Sequence, residues 1–133
     1  MKRYIVWMVL YAAAQSTFAQ TYHCQPTSKR HCDVVSCQAE GEGFQSSEVY
    51  LWEPKTRLLT ACMGESCFAG YAQRLRKKPL KLWAVMRTTH PDRPVAAPAF
   101  DIFMDIDVDG LFRVLMGDAK DNTMVYGQCQ INP

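Results

Sequence analysis

The sequence has little net charge and no apolar run long enough to span a membrane. Its 15 basic and 13 acidic side chains give a net charge of +2 over 133 residues. Two of the basic residues, Lys2 and Arg3, precede an uncharged N-terminal segment, and without them the two signs balance at 13 each. General nucleic-acid binding needs a strong positive field, so we expect no nucleic-acid partner. A hydrophobic content of 48% also excludes a disordered chain.

Catalytic motifs are lacking as well. The sequence has neither the G-x-S-x-G segment of serine hydrolases nor a glycine-rich loop for phosphate. Histidines are few, and His90 lies in a proline-rich segment with Asp92 two residues further on. We therefore expect a protein that is not an enzyme and holds no cofactor. An enzyme would need a site assembled from distant residues, such as His90 with a remote carboxylate.

Residues 1–19 have the pattern of a cleavable export signal. Basic residues precede an uncharged segment at 4–14, and Thr17 and Ala19 are the small residues before a cut at Gln20. The apolar segment is roughly half of the ~20 residues that a membrane-spanning helix needs. The prediction is a leader at 1–19 and a single β-rich domain at 20–133. We expect the mature domain to be periplasmic or secreted and to have no membrane anchor once the leader is removed.

Six cysteines follow the predicted leader, and an even number in a small exported chain is typical of a disulfide framework. One pair brackets a four-residue loop, another lies near the two ends of the mature chain, and the last pair then remains. Two β-branched residues, Val34 and Val35, make a tight turn within the last pair the least favoured. Six cysteines allow 15 pairings, so the connectivity stays open at this point, and the favoured pairs are Cys62 with Cys67, Cys24 with Cys129, and Cys32 with Cys37.

Two sets of residues offer metal sites as alternatives. His23 and His31 each precede a cysteine, and imidazole with thiolate suits zinc or copper, but the spacing fits no zinc pattern and oxidation competes for the thiols. Asp105, Asp107 and Asp109 open a D-x-D-x-D-G calcium motif. Met116 stands where that motif places its bidentate glutamate, so a strand that runs into a type I′ turn is favoured over calcium.

Short alternating segments bounded by turn residues dominate after residue 20. The clearest hairpin is 100–116, with apolar residues at the even positions 100–108 and Asp109-Gly110 as the turn. The odd positions 101–109 are aspartates except for Phe103. Further strands are predicted at 22–25, part of 31–39, 47–52, 57–63, 69–76, 80–87 and 123–130. We expect an all-β antiparallel meander of about seven to nine strands, either a small barrel or a two-sheet sandwich.

Large side chains in these segments favour a filled interior over a ligand cavity. They are Phe44, Trp52, Trp83, Phe100 and Phe112. Tyr50 and Tyr71 also lie in predicted strands, and with the two tryptophans they are expected in the core.

The densest basic cluster lies at the tip of a predicted hairpin and consists of Arg74, Arg76, Lys77, Lys78 and Lys81. Acidic residues that could complement it are Asp101, Asp105, Asp107, Asp109, Asp118 and Asp121. Charged side chains of this kind either protect a sheet edge from aggregation or dock a partner of opposite sign. We take the basic cluster as a candidate docking surface for another protein.

The two ends of the mature chain carry a family resemblance. The opening Tyr22, His23 and Cys24, the late Cys129 and the export signal resemble the small exported bacterial inhibitors of C-type lysozyme. The resemblance implies a β-barrel body. The family's inhibitory Ser-Gly-x-x-Tyr segment is missing, since residues 66–71 run Ser-Cys-Phe-Ala-Gly-Tyr. No functional residue is therefore transferred.

These observations favour an exported, disulfide-stabilised binding protein that presents a rigid surface to another protein, such as an envelope component or a lytic enzyme. A carrier of a small ligand or metal is the main alternative, because a barrel of about eight strands can enclose one small molecule. Two less favoured alternatives are a protein similar to the lysozyme inhibitors and an enzyme.

Overall fold

The computed structural model describes residues 20–89, 98–118 and 120–132. The leader predicted at 1–19, His90 and Asp92 lie outside the described residues. The described chain forms a short 3-10 helix at Phe44–Ser46 and ten strands. The strands are β1 (Thr21–Asp33), β2 (Cys37–Ala39), β3 (Glu48–Glu53), β4 (Leu58–Met63), β5 (Ser66–Tyr71), β6 (Gln73–Lys77), β7 (Leu80–Thr88), β8 (Pro98–Ile106), β9 (Leu111–Gly117) and β10 (Asp121–Asn132).

Eight of these strands close into an antiparallel barrel. The order β10-β9-β8-β7-β5-β4-β3-β1 is completed by pairing of β1 with β10 from Thr21↔Asn132 to Asp33↔Asp121. The two remaining strands are additions, because β2 pairs with β1 and β6 pairs with β7. The predicted all-β antiparallel barrel is confirmed, and the sandwich alternative is wrong because one sheet closes on itself.

Two strand boundaries differ from the prediction. The separate segments predicted at 22–25 and within 31–39 belong largely to the single strand β1, which continues through a bulge between Pro26 and Ser28. The single strand predicted at 69–76 is broken at Ala72 into β5 and β6. The Ala72 N–H donates to the carbonyl of Arg57 at 2.8 Å, so the chain turns away from β4 at this point. This break places β6 outside the ring.

The barrel interior is filled by side chains from alternate positions of each strand. Tyr50, Trp52 and Phe112 are almost completely buried, and the rings of Tyr50 and Phe112 pack with centroids 5.8 Å apart. Gly127 allows this packing, since a Cβ there would lie 2.5 Å from Cε1 of Phe112. Further buried residues of the core are Leu59, Ala61, Leu82, Ala84, Met86, Ile102, Met104, Ile106, Val114, Met116 and Val125.

The core prediction is wrong for two aromatic residues. Tyr71 is exposed over 77% of its surface, at the end of β5. Trp83 is only half-buried and lies between the buried residues Leu82 and Ala84 of β7, so it points outward. Both faces of this strand carry apolar side chains, so the sequence does not show which alternate residues point into the barrel.

Three disulfides join residues that lie directly opposite each other on neighbouring strands. The pairs are Cys24–Cys129 between β1 and β10, Cys32–Cys37 between β1 and β2, and Cys62–Cys67 between β4 and β5. They coincide with the pairs that the spacing favoured. The valines of the second pair do not prevent its turn, because Oδ1 of Asp33 accepts the N–H groups of Val35 at 2.7 Å and Ser36 at 2.8 Å.

The turn between β8 and β9 differs in type from the expectation. The Gly110 N–H donates to the Asp107 carbonyl at 3.0 Å, and Gly110 alone of these turn residues has a positive φ, 87°. A type I′ turn would need positive φ at both central residues, so this is a type I turn followed by a glycine bulge. Val108, expected on the buried face, is therefore 85% exposed at the turn.

Within the described part of the chain, no helix has the length and apolar character that crossing a membrane would require.

Candidate functional site

The basic cluster lies on a hairpin that projects beside the barrel. Strand β6 pairs only with β7, and all five of its residues are exposed. Its cations Arg74, Arg76 and Lys77, together with Lys78 in the turn, form no ion pair with any described residue. We call Arg74, Arg76, Lys77 and Lys78 the basic tip. These four cations are thus available to a ligand of negative charge.

Lys81, the fifth predicted docking residue, is in a different situation. It lies on β7, and its Nζ is 3.7 Å from Oδ1 of Asp105 on β8. The same carboxylate is paired with Arg113 of β9. Lys81 thus shares an anionic partner on the barrel wall, unlike the four cations of β6 and its turn, and we do not include it in the basic tip.

A cleft of about 310 Å³ separates the basic tip from the turn between β3 and β4. It is lined by Trp52, Pro54, Arg57, Gln73 and Arg74. Arg57 and Arg74 bring two guanidinium-bearing side chains to one cleft, and Arg57 was missed in the sequence analysis. Its backbone φ is +61°, a region that residues other than glycine, asparagine and aspartate rarely adopt. The sequence offered one indication of this backbone conformation, because Arg57 follows the predicted turn at a position where glycine would be usual.

The acidic residues separate into groups along the barrel. Asp107 and Asp109 lie in the turn between β8 and β9, and Asp107 shares a small cleft with Lys77 and Lys78. Asp105 pairs with Lys81 and Arg113 on the barrel wall. Asp101, Asp118 and Asp121 line a cleft at the opposite end of the barrel, near the start of β8 and β10. One end of the barrel thus carries the four cations of the basic tip beside Asp107 and Asp109, and the other end carries the three clustered acids. A charge difference of this kind favours steering of a charged partner.

An apolar row crosses the outer wall next to the hairpin. In register across β7, β8, β9 and β10 are Trp83, Phe103, Leu115 and Met124. Phe103 is 47% and Leu115 is 38% exposed. The row begins at Trp83, which is paired with Gln73 of β6, so the basic tip and this apolar row adjoin each other.

The candidate calcium ligands are engaged in other contacts. Asp105 forms the ion pairs with Lys81 and Arg113 described above. Oδ1 of Asp107 accepts the Val108 N–H at 2.9 Å, and Oδ1 of Asp109 accepts the Leu111 N–H at 3.3 Å. These carboxylates stabilise the turn, and the structure does not bring them together into a cage.

The histidines are also kept apart. His23 and His31 are eight residues apart on one continuous strand, which corresponds to roughly 26 Å. His31 contacts Asp121 at 2.8 Å and Thr123 at 3.2 Å, whereas His23 is paired with Gln130 and Leu51. In the described segments, no three side chains of the metal-binding types are grouped closely enough to hold an ion.

A buried charge cluster at the other end of the barrel was not predicted. Lys29 of β1 points inward and is paired with Glu48 of β3, which is only 4% exposed, and its Nζ lies 3.4 Å from Oε2 of Glu40. The Tyr50 hydroxyl donates to Oε2 of Glu48 at 3.2 Å. Burial, and secondarily the Glu48 charge, raises the pKa of Tyr50 well above its usual value. The sequence could have indicated this burial, because Glu48 is separated by two and four residues from Tyr50 and Trp52 and therefore lies on the same face of β3.

This cluster has the character of a structural network. Every buried polar side-chain atom of the described residues has a hydrogen-bond partner, and the Lys29 ammonium also lies 5.7 Å from the centre of the Phe44 ring. With its charges paired, the cluster offers no open group to a substrate. The basic tip and its adjoining cleft are therefore the better candidate site.

Comparison of the chain with protein-family models, with curated proteins and with solved structures finds no match.

Proposed function

We propose that this protein is an exported binding protein that docks another protein through the basic tip. The observation that carries the proposal is the placement of four exposed cations on β6 and the turn that follows it, outside the barrel ring. These cations form no ion pair among the described residues. If these cations served only to prevent the sheet edges of two molecules from pairing, charges of opposite sign would not need to be separated along the barrel axis. The charge difference between the two ends instead favours oriented encounter with an acidic surface.

The scaffold supports this function by holding the tip rigidly. The interior is packed with side chains, and three disulfides join neighbouring strands. A preorganised surface loses little conformational entropy on binding, so more of the contact energy becomes affinity. The filled interior also favours docking on the outer surface over the alternative of a carrier with a ligand inside the barrel.

Export is the second part of the proposal. The three disulfides are consistent with an oxidising compartment outside the cytoplasm. Together with the leader pattern at 1–19, they support cleavage before Gln20 and a periplasmic or secreted product.

The export proposal predicts the mass of the protein recovered from the periplasm or the medium of a bacterial host. Cleavage of the leader should give a mature chain that begins at Gln20. Each disulfide removes two hydrogen atoms, so this chain should gain six hydrogens on reduction. Intact-mass spectrometry under native and denaturing conditions measures both properties. A chain that retains its leader, or one with free thiols and a bound metal, would contradict the proposal and favour a metal carrier.

Charge reversal tests the docking surface. A photo-crosslinking residue at position 76 first identifies the partner in the exported fraction. The double variant Lys77→Glu/Lys78→Glu should then associate with that partner at least about tenfold more slowly at low salt, because steering depends on charge. The difference in association rate between the variant and the wild type should shrink as salt increases, since salt screens the attraction between the charges. Stopped-flow or surface-plasmon-resonance association rates measure the effect.

A matched control separates local from general charge effects. Arg30→Glu/Lys120→Glu makes the same change in net charge at two exposed positions toward the opposite end of the barrel. Its association rate should stay close to that of the wild type. Equal rates for the wild type and the Lys77→Glu/Lys78→Glu variant would show that the basic tip is not the docking surface.

A further inference from the structure

We infer that the partner contributes an extended acidic segment, which pairs with the free edge of β6 and adds a strand to the sheet. This inference rests on the proposed docking function and specifies how the partner binds. It draws on three separate features of the hairpin, namely its unpaired backbone edge, the cleft beside that edge and the distribution of its cations over two faces.

The backbone edge is unpaired because β6 lies beyond the strand that would otherwise cover it. The register of β6 with β7 runs from Gln73↔Trp83 to Lys77↔Leu80 and uses one edge only. On the other side, β4 begins at Leu58, where it pairs with Tyr71 of β5. The Ala72 N–H donates to the Arg57 carbonyl, and beyond this bond a cleft separates β6 from the turn between β3 and β4. Within the described residues, the other edge of β6 thus faces no strand, and such edges accept extended peptides.

The adjoining cleft supplies anchors for carboxylates at one end of this edge. Arg57 and Arg74 line it together, with Trp52 and Gln73 as neighbours. Guanidinium groups bind carboxylates through paired hydrogen bonds of fixed geometry. A volume of about 310 Å³ has room for acidic side chains of a bound segment.

The backbone of Arg57 supports a binding role for its side chain. Glycine would adopt the positive φ of 61° without steric conflict, whereas an arginine does so at a cost. A cation thus occupies a position where glycine would stabilise the fold better, and that cation lines the cleft. The variant Arg57→Gly is therefore expected to fold at least as stably as the wild type while it loses the anchor.

The cations of β6 specify the pattern of acids in the bound segment. Arg74 and Lys77 are opposite Leu82 and Leu80, which belong to the inward face of β7, whereas Arg76 is opposite Lys81 on the outward face. The bulge between Arg74 and Arg76 produces this distribution. A strand with acids only at alternate residues would present them on one face. The geometry thus favours a segment with consecutive acidic residues, which places carboxylates on both faces.

The test uses a labelled peptide, Thr-Glu-Glu-Thr-Glu-Glu-Thr, and fluorescence anisotropy at low salt with the oxidised protein. Two derivatives carry backbone N-methyl groups on alternate residues, one on the odd and one on the even set. Only alternate N–H groups of an added strand face its neighbour. One derivative should therefore lose at least about tenfold in affinity, and the other should bind like the parent peptide.

Point variants give a second readout. Arg57→Gly should weaken binding of the parent peptide by about tenfold, as expected for loss of a charge-assisted bond, without lowering the thermal midpoint. Lys55→Gly is the matched control, because it removes a cation from the same turn that does not line the cleft. It should leave the affinity close to that of the wild type.

The outcomes separate this inference from the proposed function. If both methylated peptides bind like the parent, or if the parent does not bind while the cross-linked partner still depends on Lys77 and Lys78, strand addition is overturned and docking through charge remains. If the partner is indifferent to Lys77 and Lys78, the proposed function itself fails. Tighter binding to anionic lipid vesicles than to the peptide would also overturn an acidic protein segment as the ligand.

Discussion

Replacing Cys24 and Cys129 together with alanine is expected to lower the free energy of unfolding by about 4.7 kcal/mol. The disulfide closes a loop of 105 residues, and the entropy removed from the unfolded chain grows with loop length. It also fastens the seam between β1 and β10, where both sulfurs are buried. Urea unfolding of the wild type and the double variant measures the difference.

The other two disulfides provide internal controls for this effect. Cys32–Cys37 and Cys62–Cys67 each span a separation of 5 residues. The same loop entropy gives only about 2 kcal/mol for each of them. A loss of equal size for all three double variants would show that loop length does not set the contribution of the seam disulfide.

Lys29→Met is expected to destabilise the protein by about 3 kcal/mol, the size found when one member of a buried ion pair is removed. Glu48 is almost inaccessible to water, so without Lys29 its charge would be left uncompensated. The double variant Lys29→Met/Glu48→Gln removes both charges, keeps an oxygen that can accept the Tyr50 hydroxyl, and should recover most of the loss. Chemical unfolding at pH 7 of the two single variants and the double variant gives the coupling energy.

A surface pair tests whether the effect of Lys29 depends on burial. Lys81→Met removes a cation from Asp105, which is more accessible than Glu48 and keeps Arg113 as a partner. Its cost should be below about 1 kcal/mol. If Lys29→Met costs no more than Lys81→Met, the inward cluster does not stabilise the barrel in the way we describe.

Local patterns explain why the strands and the cysteine pairs could be predicted. Alternation in Ile102, Met104 and Ile106 marks a half-buried strand, and all three side chains are buried. Cysteine spacing was informative because two of the pairs lie within single hairpins. These features depend on neighbouring residues only, so the sequence displays them directly.

Features that depend on distant contacts could not be predicted. Ala72 breaks a strand because its N–H bonds the carbonyl of Arg57, fifteen residues earlier, and no local signal marks that bond. The inward direction of Lys29 follows from its pairing with Val125 after the bulge in β1. For the same reason the basic cluster was visible in the sequence, whereas the free edge of β6 and the cleft with Arg57 emerged only from the tertiary structure.

The pairing of β1 with β10 also determines when the barrel can close. The first strand of the domain pairs with the last, so a chain that is synthesised from its amino end holds β1 without its main partner until β10 has emerged. The hairpins β3–β4 and β4–β5 can form before then, because their contacts are local. Until β10 arrives, one side of β1 is an exposed strand edge, a stage at which association with other chains competes with folding. The yield of folded protein should therefore be most sensitive to changes in β10.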